Sequence, residues 1–261
     1  MNSINFPSHT AAVHFKMRGL HSEIDQGEII FDDPIAKLHH SKFSFDHDFT
    51  SLFWKSLRVN GLFRSKISEH YLRESINNGT QQYVILGAGL DTFSSRNIPW
   101  AKELKVFQID HIDVISARKN VIGSYGIDIG CNIQDLTISR LVEDGFNPEE
   151  PAFFSMLGVS MYLDIPTQFK IYSEIASLKK VDFVMTHLGT QVSPNMNIIT
   201  RSVERSGEPF IGKIEDHKLI AMLESVGFTS ITKPASSFIS DWYSRSSLPK
   251  PNLRSITISK K

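Results

Sequence analysis

Gly87, Gly89 and Asp91 follow directly on an apolar run, Tyr83–Leu86, and Asp110 closes the next such run, Lys105–Asp110. Two glycines after a strand permit positive φ and let a ligand approach the backbone closely. An acidic residue ending the second strand, 23 positions after Gly87, is placed to accept hydrogen bonds from ribose hydroxyls. A bare G-x-G describes only a tight turn. With Asp110 it points to an adenosine-type ligand at the carboxyl ends of two strands.

The other end of that ligand follows from Asp91 and Thr92. A dinucleotide fingerprint needs a third glycine where Thr92 stands, and the Asp91 carboxylate would repel a pyrophosphate. An amino-acid head without phosphate suits an acidic loop better, because its ammonium needs an acceptor. S-adenosylmethionine has such a head.

The elements that must position these residues are an alternation of strands and helices after a helical leader. Val13, Met17, Leu20 and Ile24 share one helix face, with Ser8 and Thr10 as candidate N-caps. Phe31–Pro34 breaks the leader, and Leu52 to Ile76 reads as a second helical region ended at Asn77-Asn78-Gly79. Strands are expected at Tyr83–Leu86, Lys105–Asp110, Gly126–Ile133, Ala152–Val159, Asp182–Leu188, Ser230–Lys233 and Leu253–Ser259. Helices are expected at His111 to Ile122, Leu136 to Gly145, after an Asp164 cap, and at Asp216–Gly227, while 189–213 reads as irregular. In the Asp164 helix, Ile165, Phe169, Tyr172, Ile175 and Ala176 are read as the buried face. This pattern predicts an α/β fold with a mostly parallel sheet, and a final antiparallel pair at its edge. Residues 1–80 are read as a helical extension capping the substrate, and 81–261 as the binding core.

The composition excludes several classes. The chain has 261 residues, 41% hydrophobic and 21% charged, with 28 basic and 28 acidic residues. That is a globular composition, and the zero balance argues against a nucleic-acid partner. A lone Cys131, no secretory leader and no long apolar run point to a cytoplasmic protein with no membrane partner.

Val84 to Thr92 (VILGAGLDT) closely resembles the first motif of the leucine carboxyl methyltransferase family. The resemblance extends to Thr10-Ala11 with Arg18, Asp33-Pro34 with Ala36, and Arg64 with Lys66. It continues through Phe107–Asp110, Asn132–Leu136, Gly145–Pro148 and Met161-Tyr162-Leu163. It implies a Rossmann-like class I methyltransferase sheet of seven strands, the last antiparallel, that uses S-adenosyl-L-methionine. By this resemblance Arg64 pairs with the cofactor's carboxylate, Gly87 and Gly89 line its methionine portion, and Ala88, Asp91 and Leu157 are further cofactor-binding positions. Asp110 holds the ribose, with His111 beside it as a cofactor-binding residue, and Asn132 and Ile133 flank the adenine. The family usually has Asp where this chain has Asn132, whose amide oxygen still accepts from an adenine amine. It often has Glu where this chain has Leu157, which removes a carboxylate beside the cofactor.

The resemblance implies an O-methyltransferase acting on a small molecule or a protein C-terminal carboxylate. A carboxylate acceptor is already ionised and needs no base, whereas a hydroxyl needs one, for which His14 and His187 are the candidates. Arg18, Tyr162 and Trp242 are candidates for acceptor contacts. Phe43, Phe45, Phe49, Phe53 and Trp54 are either core or pocket wall, and Lys55, Arg58 and Arg73 read as a solvated helix face. His39, His40 and His47 lack a ligand spacing, so no metal is expected. The competing readings are a catalytically silent cofactor-binding scaffold and an NAD(P)-dependent oxidoreductase.

Overall fold

Successive residues of the first strand, β1 (Gln82–Leu86), feed two different cores: Val84 and Leu86 one, Tyr83 and Ile85 the other. All five residues are buried, the texture of a central strand covered on both faces. The computed structural model describes residues 4–25, 29–191, 200–201, 203–205, 207–235 and 248–261. Its other strands are β2 (Lys105–Asp110), β3 (Ile127–Gly130), β4 (Ala152–Met156), β5 (Val181–Thr186), β6 (Ser230–Thr232) and β7 (Ile256–Lys260). They form one seven-stranded sheet in the order β3-β2-β1-β4-β5-β7-β6, in which β7 runs antiparallel to both neighbours. The last strand is antiparallel as expected. It lies inside the sheet, and the three-residue β6 forms the edge.

Seven α-helices are described: α1 (His9–Ile24), α2 (Pro34–His39), α3 (Leu52–Asn77), α4 (Ile112–Ile122), α5 (Ile138–Glu143), α6 (Ile165–Ala176) and α7 (Asp216–Val226). Ile171, Tyr172 and Ile175 of α6 and Leu219 and Leu223 of α7 cover one face of the sheet. Val59, Leu62, Phe63, Ile67 and Leu72 of α3 cover the other. The leader is therefore not an appendage to the core, because α3 supplies one of its layers. A further cluster joins Phe6, Phe15 and Phe43 to Val114 and Val121 of α4. Ser8 caps α1 by accepting from the Ala11 N–H, so Thr10 lies inside the helix. Among the described residues no helix is long and apolar enough to cross a membrane.

Two readings of helix faces are corrected. In α6, Phe169 is 46% exposed and Gln168 is fully buried. The Gln168 amide donates to the carbonyls of Ser160, Leu163 and Gly212, and meeting those acceptors turns Phe169 outward. Arg58 is not on a solvated face but is 1% exposed. Its Nε and Nη2 donate to the two Asp25 oxygens at 2.6 and 2.5 Å, and its Nη1 donates to the Phe49 carbonyl at 2.9 Å. His21 accepts from the Ile30 N–H on Nε2, which leaves its Nδ1–H to donate to Asp25 at 2.9 Å. Arg73, from the same reading, stands over the Trp100 ring.

Burial pushes the Asp25 carboxyl up, but the bonds from Arg58 and His21 outweigh it and bring the pKa down to about 2. Its folded value thus lies below its unfolded value. The stability it contributes is present above pH ~4 and is lost as pH falls toward ~2, about 2 kcal/mol in all. Urea melts between pH 5 and 2 should show that decline. Asp25→Ala should flatten it and, by stranding Arg58, cost roughly 3–5 kcal/mol at neutral pH.

Candidate active site

The turn after β1 needs glycine at two points. Gly87 and Gly89 have φ of 71° and 47°, and a Cβ on Gly87 would lie 2.3 Å from Val159 Cγ2. The backbone of this loop is almost entirely spoken for. Gly87 and Ala88 both donate to the Ile109 carbonyl at 2.9 Å, Gly89 donates to Asp110 Oδ2 at 2.7 Å, and Asp91 donates to the Ala88 carbonyl. On the acceptor side, Arg118 donates to the carbonyls of Gly89 at 3.0 Å and Asp91 at 2.8 Å, and Arg18 donates to the Leu90 carbonyl. The segment after the loop is a 3-10 turn, Ser94–Arg96, and not an α-helix. Thr92, in the place of a third glycine, is fully buried and donates to Asp33 at 2.7 Å. That bond ties the loop to the cap of α2, because Asp33 also accepts from Ala36 N.

The loop opens onto a cavity of about 1590 Å³, larger than the 300–1,000 Å³ usual for one small ligand. Arg64, Gly87, Ala88, Gly89, Asp91, Asp110, His111, Asn132, Ile133 and Leu157 all border it, as do His14, Arg18, Tyr162 and His187. Trp242 lies outside the described residues. Asp110 accepts from Gly89 N and His111 N at 2.7 Å each. Burial pushes its pKa up, against those two N–H groups. A carboxylate has about four acceptor sites, so two remain for a ligand.

Arg64 has no carboxylate or hydrogen-bond partner among the described residues. Its guanidinium lies against Gly158 (φ 76°), where a Cβ would stand 2.9 Å from Nη1. Burial draws its pKa down to about 10, with Tyr162 opposing and the Arg18 charge adding. The group stays protonated and faces the cavity without an anion. Arg18, by contrast, is committed: besides Leu90 it lies 3.4 Å from Asp33 and 3.9 Å from Asp91.

His14 and His187 differ in setting. His14, on α1, rests its ring against the Cα of Gly61 in α3, where a Cβ would come within 3.2 Å of Nδ1. Burial, then Arg64 and Arg18, hold its pKa well below the usual imidazole value. His187, 4% exposed, bonds Asp216 Oδ1 through Nε2 at 2.6 Å, and Asp216 also receives Lys233 at 3.0 Å. Burial and Lys233 lower the His187 pKa against the Asp216 bond. The aromatic residues divide: Phe43 is core, while Phe53 and Trp54 border the cavity. Tyr162 packs on Phe210 with ring centroids 5.2 Å apart.

Arg118, Gly158, Gly61 and Asp216 were missed in the sequence. Two of them carried a signal. Arg118 falls on the apolar stripe Val114, Ile115, Val121, Ile122 of α4, and a charge in such a stripe is buried with partners. Gly158 interrupts the apolar run Ala152–Val159 just after β4, near the same sheet end where Gly87 ends β1.

Residues 11–176 match the model of the leucine carboxyl methyltransferase family. The chain belongs to this family. The match runs from α1 to the end of α6, so the leader is part of the family's pattern. Among curated relatives, a protein of Mycobacteroides abscessus is 30% identical over 122 residues, 44% of this chain and 39% of its own length. YktD of Bacillus subtilis is 28% identical over 184 residues, 64% of this chain and 60% of its own. Both bear the name "Putative S-adenosyl-L-methionine-dependent methyltransferase". The chain thus spans about two-fifths to three-fifths of the relatives it matches. Two solved structures share the fold. A DUF574 family protein of Streptomyces avermitilis has a TM-score of 0.63 at 12% identity, covering 97% of this chain and 96% of its own. A methyltransferase-named protein of Thermobifida fusca has 0.61 at 16%, covering 98% and 94%.

In this member of the leucine carboxyl methyltransferase family, the His14 ring should titrate below pH 6.5 in a histidine NMR titration of the ligand-free protein. Gly87→Ala should cost about 1–3 kcal/mol by strain alone, more if Val159 cannot move, read as a lowered melting temperature.

Proposed function

We propose that the cavity binds S-adenosyl-L-methionine and that the chain directs its methyl group to an oxygen of a small acceptor. The observation that carries this reading is Arg64: a half-buried guanidinium with no anion among the described residues, pressed against Gly158 and facing the cavity. A cation so placed favours a carboxylate, and the pair would be a charge-assisted one. The loop supports the same choice. Its N–H groups at Gly87, Ala88, Gly89 and Asp91 are already bonded, and no α-helix N-terminus follows it. A pyrophosphate would find neither of the donors it uses in dinucleotide sites, which weighs against an NAD(P)-dependent oxidoreductase.

Asp110 would accept from the ribose hydroxyls, Asn132 and Ile133 would flank the adenine, and Gly87 to Gly89 would line the methionine chain. Leu157 packs on the apolar core beside β1 and offers the ribose and methionine a wall without charge. When bound, the cofactor supplies an electrophilic methyl on a positively charged sulfur. The chain's own contribution is alignment and exclusion of water, and alignment alone is worth roughly 7–11 kcal/mol at best. We read the leader, residues 1–80, as the part that closes over the acceptor. Zero net charge, no metal role and a cytoplasmic setting complete the reading.

Calorimetric titration with S-adenosyl-L-methionine tests it. Arg64→Ala and Asp110→Ala should each weaken binding at least tenfold, and NADH should give no heat. Undetectable cofactor binding by the unaltered chain, or unchanged dissociation constants in both variants, would sink the assignment.

A further inference from the structure

Of the α3 residues that border the cavity, Trp54, Leu57, Gly61 and Arg64 fall at spacings of three, four and three positions, so they form one stripe. Along about 15 Å of helix the stripe passes from an aromatic ring to a bare cation. The Trp54 ring stacks on His47 at 4.4 Å and meets the Phe53 ring edge-on at 5.3 Å, and all three border the cavity. Between the two ends, against Gly61, sits the His14 ring. Neither ring nitrogen of His14 has a hydrogen-bond partner among the described residues, although the side chain is enclosed by α1 and α3. The cavity also exceeds what one small ligand needs.

We infer that His14 is the catalytic base, and that the acceptor is a phenolic or enolic hydroxyl on a flat apolar body lodged against Phe53, Trp54 and Leu57. This rests on the reading of Arg64 as the cofactor's carboxylate partner. With Arg64 so engaged, Arg18 bound to Leu90, Asp33 and Asp91, and Arg58 bound to Asp25, no enclosed cation among the described residues is left for a second carboxylate. Arg201 and Arg205 border the cavity but are exposed, where water screens them. Burial and the two guanidiniums on α1 and α3 keep His14 neutral. It therefore offers a lone pair to a donor and no charge to an anion. A phenol, with pKa about 10, is within reach of an imidazole; an aliphatic alcohol is not. In the step, the acceptor oxygen forms the bond to the methyl carbon and the sulfur–methyl bond breaks with its electron pair kept on sulfur. The hydroxyl proton passes to His14 and then to water.

The test uses the full chain with S-adenosylhomocysteine for binding and S-adenosyl-L-methionine for turnover. Its probes are 2-naphthol and 2-naphthoate. We expect 2-naphthol to bind, to move the His14 ring resonances, and to yield a base-stable methyl ether. His14→Gln should lower kcat for 2-naphthol about 100-fold or more, with cofactor affinity within about threefold and the slope of kcat with pH removed. Gly61→Ala, which crowds the ring from α3, should lower kcat less and serves if the first variant misfolds. Tighter binding of 2-naphthoate, a base-labile methyl ester, binding of neither probe, or full kcat in His14→Gln overturns the inference while leaving the cofactor assignment standing. Failure of the unaltered chain to bind S-adenosylhomocysteine overturns both.

Discussion

Two guanidiniums, one buried and one partly exposed, hold the glycine loop. The carbonyls of Gly89, Leu90 and Asp91 are taken in succession by Arg118, Arg18 and Arg118 again. Arg118 is 1% exposed and is itself answered by Asp128 at 2.6 Å and Gln108 at 2.8 Å. A charge that deep is tolerable only when paired and fully hydrogen-bonded. The loop therefore inherits the rigidity of β2, β3 and α4, which supply those partners. Arg18 brings in the leader by the same means, through Asp33, which caps α2 and receives Thr92. The position of Asp110 depends in turn on the loop, because Gly89 N is one of its two donors.

Much of this frame was legible in the sequence, and for physical reasons. The strand runs are buried on both faces, so Tyr83–Leu86 and Lys105–Asp110 stand out by composition alone. Asp164 and Gly227 act through their own side chain or positive φ, and both mark their helix ends where expected. Interactions between distant elements were not legible. Arg58 looks like any basic residue on a long helix until Asp25 arrives from α1's end to meet it. Gln168 looks surface-bound until three carbonyls converge on it. The assembly of the candidate site fell between these cases. Asp110 follows from its place at a strand end, whereas the contact of His14 with Gly61 exists only because α1 crosses α3 there.

Charge in the cavity is arranged rather than accumulated. A neutral chain has no long-range field to gather anions. In the proposed complex recognition would fall to single groups: a cation at Arg64 with no anion among the described residues, a carboxylate at Asp110 with acceptor sites to spare, and an imidazole kept neutral beside two arginines. Each would ask for a different chemical function, so the proposed ligand would lie in the site in one direction only.

The place of β7 bears on how the molecule forms. Strands β1, β2 and β3, and likewise β4 and β5, pair between neighbouring βα units, but the other edge of β5 must wait for β7 across the span from Asp182 to Lys260. The edge strand β6 touches the sheet only through β7. Long-range pairings of this kind are slow, because chain entropy is lost before contacts repay it. The half that carries the glycine loop and Asp110 can therefore consolidate first. The wall made by His187, Ser255 and Ile256, which depends on β5 meeting β7, closes last. Folding order thus follows the division of the cavity, with the loop side set before the opposite wall.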